Sequence, residues 1–120
     1  MIVNKNDGGL NAMLFGLTDD LARELLKPLA PFCSNVASAS ALDPCLKLAD
    51  VIFCKPDGNM VRTLRSANPD ASIVVVSRHP EFSDWLDSIE AGATDYCAAP
   101  FDTTQVQWIL ESSRLTQARA

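Results

Sequence analysis

The sequence predicts an α/β protein: a five-stranded parallel sheet with helices on both faces, a doubly wound three-layer sandwich. Two observations lead there. "SIVVVS" (72–77) is β-branched and apolar without polar alternation, the mark of a strand covered on both sides. Strand-like and helix-like stretches also alternate along the chain, and parallel strands joined through helices make right-handed crossovers.

The elements follow in order. The polar opening, with Gly8-Gly9, reads as a flexible arm over residues 1–10; the folded unit is expected over 11–115, and 116–120 as a tail or the start of a linker. "NAMLFGL" (11–17) is the first apolar run. "TDDLARELLKPLA" then switches to helical spacing, with Leu21, Leu25 and Leu26 assigned to one face and Pro28 ending the helix nearby. "CSNVASAS" is a weak strand candidate. "LDPCLKLAD" reads as a short helix capped by Asp43, with Pro44 at its first position. "DVIFC" (50–54) is a buried strand, and the turn "KPDG" leads into a helix carrying Met60, Val61 and Leu64. After "SIVVVS", a helix from Pro80 to Ala91 is expected to bury Phe82, Trp85, Leu86 and Ile89, with Gly92 as its left-handed stop. "TDYCA" is the last strand. "DTTQVQWILESSRL" is the last helix, with Asp102 and Gln105 placed as a capping pair.

Composition narrows the function. A chain of 120 residues is one domain's worth, and 48% apolar with 21% charged residues is a globular balance. The net charge of −5, with scattered acids, disfavours nucleic-acid binding, because phosphate contacts need clustered Lys and Arg. No apolar run approaches the roughly 20 residues that span a bilayer, and the opening lacks a signal peptide's apolar stretch. The expected location is the cytoplasm. Cys33, Cys45, Cys54 and Cys97 form no CxxC pair, and His79 is the only histidine. No metal or other cofactor is therefore expected.

At "IEAGATDYCAAPF" the chain resembles the receiver domain of two-component response regulators, the CheY-like family. Its last strand reads much like Ala-Gly-Ala-x-Asp-Tyr-x-x-Lys-Pro-Phe. Ala91, Gly92, Ala93, Asp95, Tyr96, Pro100 and Phe101 match in spacing, and the likeness extends back through "SIVVVSRHP" and "DVIFC". The resemblance implies strand order 2-1-3-4-5 and a working site at the strands' carboxyl ends, as in open α/β sheets generally. It also implies phosphoryl transfer from a phosphohistidine to an aspartate ending the third strand. That chemistry needs Mg²⁺ held by acids and a cation facing the phosphoryl oxygens.

Against each requirement this sequence departs. The acceptor position is Cys54, and a thiol offers the metal no carboxylate oxygen. The lysine position is Ala99. The acidic pair falls on Leu17 and Thr18, with Asp19 matching a third acid of many members; sliding the alignment by two would put Asp19 and Asp20 on the pair. The loop after the third strand is about four residues shorter than usual in this alignment. The expectation is a degenerate receiver without phosphotransfer. Two alternatives stay open: an atypical phosphoacceptor using Asp57 or Asp19 with Mg²⁺, and a thiol sensor through Cys54 activated by Lys55.

In active receivers, the resemblance implies, Ser77 and Tyr96 couple the phosphorylated site to the face made by the fourth helix, fifth strand and fifth helix. Their bland readings are a strand-end hydroxyl for Ser77 and, for Tyr96, an amphipathic filler with its hydroxyl at the rim. The resemblance makes the Ala99–Pro100 bond a candidate for cis geometry, found in only about 5–6% of unselected X–Pro bonds. On the last helix, with Val106 facing the core, Ile109 and Leu110 lie within about 60° of it. Trp108 points away, with Leu115 beside it and Thr104 completing a weak seam. An outward tryptophan suggests contact with a protein partner or a second copy. The expected function is thus a non-enzymatic signalling module working by protein–protein contact, free-standing or ahead of an output segment such as a DNA-binding or antiterminator unit.

Overall fold

A computed structural model describes residues 10–39, 49–78, 82–99 and 101–118. The strands are β1 (Leu10–Phe15), β2 (Cys33–Ala39), β3 (Val51–Cys54), β4 (Ser72–Ser77) and β5 (Asp95–Ala98). The helices are α1 (Asp19–Leu29), α2 (Gly58–Ala67), α3 (Phe82–Ala91) and α4 (Thr103–Ala118). The five strands pair in parallel in the order β2-β1-β3-β4-β5. This is the CheY-like, flavodoxin-type sheet. The short helix expected from residue 42 to 50, with Asp43, Pro44 and Cys45, falls mostly outside the described residues.

Side-chain alternation builds the two cores. Leu10, Ala12, Leu14, Val51, Phe53, Val74, Val76 and Cys97 point to one face, where α1 and α4 cover them with Leu25, Leu29, Val106, Ile109 and Leu110. Met13, Phe15, Ile52, Cys54, Ile73 and Val75 point to the other, beneath Val61 and Leu64 of α2 and Ala91 of α3. β3 and β4 are buried along their whole lengths, which is why their sequences carry no polar alternation.

Local signals act at several element ends, at Asp102 as expected and at Thr18 and Asp57 in addition. Thr18 caps α1, its Oγ1 accepting from Leu21 N at 3.4 Å. Asp57 caps α2 through Asn59 N at 3.0 Å and Met60 N at 3.3 Å. Asp102 Oδ1 accepts from Thr104 N at 3.0 Å as α4 begins. Gly92 stops α3 with φ +118°, and Gly16 turns the chain out of β1 with φ +67°, a region costly for residues with a Cβ.

Two helix faces differ from expectation. Leu26 is 45% exposed, and Leu25 and Leu29 fill the core instead; Leu26 lies about 100° round the helix from Leu25, on the flank of the buried arc. On α3, Trp85 and Leu86 are 40% and 39% exposed, while Ser88 and Ala91 face inward. Counted at 100° per residue, the stripe of Trp85, Leu86 and Ile89 is turned by about 140° from the face that α3 buries. Small residues on the inner face let the helix backbone sit close to its neighbours; Trp85 and Leu86 are carried outward, with Ile89 half-buried. Phe82's side chain lies outside the described residues. The last helix keeps its expected roll: Val106, Ile109 and Leu110 are buried and Trp108 is 67% exposed.

Candidate functional site

The carboxyl ends of the strands converge on one edge. Phe15 of β1 sits opposite Cys54 of β3, Cys54 opposite Val75 of β4, and Ser77 of β4 opposite Ala98 of β5. Ala99 follows at once, its N–H donating to the Ser77 carbonyl at 2.9 Å. The positions singled out as acceptor, hydroxyl and lysine equivalents, Cys54, Ser77 and Ala99, are thereby gathered at the ends of adjacent strands. Pro100, the cis candidate, lies outside the described residues.

Cys54 is fully buried, its side chain belonging to the cluster of Met13, Phe15, Ile52 and Val61. Desolvation is the main reason its thiol is pushed up to about 12, with the Asp57 carboxylate adding to it. This counts against the alternative in which Lys55 activates it: Lys55 is solvent-exposed, as a residue solvating a strand end would be, and burial dominates at the thiol. Cys97, on the opposite face, is pushed up to about 11, again mainly by desolvation.

The pocket acids are as sparse in space as in sequence. Leu17 packs on the α1-side core, Thr18 is engaged as a helix cap, and Asp19 is exposed in the first turn of α1. Asp57 spends one carboxylate oxygen on the N-terminus of α2. A Mg²⁺ ion takes several hard oxygen ligands, and of Leu17, Thr18, Asp19 and Cys54 only Asp19 carries a carboxylate. Those four residues do not fit the metal that the resemblance implies. Among the described residues no group of three or more His, Cys, Asp or Glu side chains is placed to hold a metal ion.

Two features escaped sequence reasoning. Arg78, directly after Ser77, forms an ion pair with Glu24 on α1, joining the end of β4 to the opposite layer. The Arg78 hydrogen bond holds the Glu24 carboxyl below its usual range, and Glu24, with Asp20 behind it, raises Arg78. The edge therefore does carry a fixed positive charge, contributed by β4 and already matched by an acid. The signal was present as an arginine after a strand, but its partner lies 54 positions away. The second is Tyr96. Its ring packs on the α2 and α3 side of the sheet, and its hydroxyl is covered without a hydrogen-bond partner among the described residues, rather than at the rim. The interaction-face candidates divide accordingly: Trp108 and Thr104 are exposed on α4, and Leu115's side chain lies outside the described residues.

Comparison with known proteins agrees with the fold. The CheY-like protein of Pseudomonas aeruginosa PAO1 superposes with a TM-score of 0.75 at 18% identity, over 88% of this chain and 99% of that one. A response regulator of Thermotoga maritima gives 0.70 at 20% identity, over 92% and 98%. One of Burkholderia pseudomallei, solved with a phosphorylated aspartic acid, gives 0.70 at 20%, over 92% and 72%. The architecture is thus that of response-regulator receiver domains. In sequence, the photosynthetic apparatus regulatory protein RegA of Rhodovulum sulfidophilum is 35% identical over 78 residues, 64% of this chain. The match spans only 43% of that protein's length. No family model matches.

Proposed function

We propose that this chain is a receiver-like signalling module that has given up phosphoryl acceptance and acts through protein contacts. The observation that carries the reading is Cys54: the position aligned with the acceptor holds a fully buried thiol raised to about 12. It is neither a carboxylate nor a thiolate; the nearby Asp57 is engaged in capping α2, and the lysine position is Ala99. Without a covalent trigger, control would come from a partner or ligand that binds one conformation better than another. The contact face consists of α3, β5 and α4, where Trp85, Leu86 and Trp108 stand partly or largely exposed. The likeness to RegA, a regulatory protein by name, supports a place in signal transduction.

Titration of a labelled sample with Mg²⁺ and beryllofluoride tests this. An unchanged amide spectrum is expected; shifts concentrated around Asp19, Cys54 and Ser77 would favour the atypical phosphoacceptor instead.

A further inference from the structure

We propose that the β2 edge of the sheet, together with the flank of α1 that overhangs it, is a self-association surface for a second copy of this chain. Sheet order leaves β2 at one end, paired among the described residues with β1 alone. An open edge offers a row of unpaired backbone groups, and proteins usually guard such edges with charges, proline or bulges. Here β2 reads "CSNVASA", and residues 28–42 include no Asp, Glu, Lys, Arg or His, in a chain of net charge −5. Two copies that repel elsewhere meet least resistance along this strip.

The flank of α1 gives the second argument. Counted from Leu25, Glu24 lies about 100° to one side and Leu26 about 100° to the other. Glu24 reaches Arg78 at the end of β4, so its side faces the middle of the sheet. The other side carries Asp19 and Ala22, which line a cleft of about 270 Å³ with Ser38 and Ala39 of β2. Leu26 shares that side, so a leucine left 45% exposed hangs over the open strand.

An identical strand fits this edge without conflict. In an antiparallel pairing centred on Val36, "SNVAS" sets Val36 against Val36, Asn35 against Ala37 and residue 34 against residue 38, with no charge facing another. Val36 packs on the α1 side of the sheet, so the central pair lies on the same face as both copies of Leu26. The product is a continuous sheet of two five-stranded halves about a two-fold axis, an isologous contact.

Sedimentation of the full chain across a range of concentrations tests the idea, with circular dichroism to verify folding. Wild type is expected to dimerise. Asn35→Asp with Ala37→Asp sets like charges opposite one another on both sides of the axis and should weaken the dimer about tenfold. Asn35→Lys with Ala37→Asp leaves net charge unchanged, sets opposite charges together, and should preserve it. Leu26→Ser should weaken association, whereas Trp108→Ala, on the face proposed for other partners, should not. A wild type that stays monomeric, a Trp108-dependent dimer, or two charge variants that associate equally would overturn the proposal.

Discussion

Arg65 Nη2 donates to the Gly92 carbonyl at 2.9 Å, tying the last turn of α2 to the left-handed turn that ends α3. The same guanidinium reaches the carbonyls of Pro69 at 3.0 Å and Ala71 at 2.6 Å, and the Thr94 hydroxyl at 3.3 Å. One half-buried cation thus satisfies the loops entering both β4 and β5. Arg65→Met should lower unfolding free energy by about 1.5–3 kcal/mol, the range for hydrogen bonds to a charged group. Arg65→Lys should recover little, since an ammonium lacks the planar fork. Urea denaturation of the three proteins measures both.

Raised thiols make stability depend on pH in one direction. Cys54 keeps its proton in the folded state to about 12, against an ordinary value of 9.0. Between those values the unfolded chain loses a proton that the folded chain retains, so its contribution, whole below pH 9, is lost as pH rises toward 12. The slope is at most about 1.4 kcal/mol per pH unit. Cys97 acts in the same sense to about 11. Stability measured from pH 8 to 10.5 should fall, and Cys54→Ala should flatten the fall.

Asp57 is assigned here to a helix cap. Asp57→Ala should therefore cost about 1 kcal/mol of stability. If Asp57 served instead as a phosphoacceptor, acetyl phosphate with Mg²⁺ would add a phosphoryl mass to the wild type but not to Asp57→Asn. Intact-mass spectrometry is expected to find no such mass in either.

Trp108 contributes surface rather than core. Trp108→Ala should change stability by less than about 0.5 kcal/mol, while acrylamide should quench Trp108 readily in the free protein. A partner bound to α4 would blue-shift its emission and slow the quenching.

The centre of the sheet was legible because β3 and β4 are buried on both faces: "VIFC" and "SIVVVS" admit little else. The Asp102 cap was legible because it acts within three residues of itself; Thr18 and Asp57 cap just as locally but were read as pocket and turn positions. The roll of α3 was not. Its apolar residues suggested an inward stripe, but contact with neighbouring layers turned Ser88 and Ala91 inward, a choice made by tertiary packing. Cys54 could be placed at the edge by resemblance, yet its elevated thiol needed the surrounding cluster of Met13, Phe15 and Val61 to be seen. Arg78 could be read as a charge after a strand, but not as the partner of Glu24.

Among its described side chains, α3 buries a serine and an alanine, Ser88 and Ala91, with Ile89 half-buried. α2 is held instead by Val61 and Leu64, so the amides of α3 should exchange with deuterium sooner than those of α2. A ligand gripping Trp85 and Leu86 would then have a hinged handle on the domain, one that moves without melting the sheet beneath.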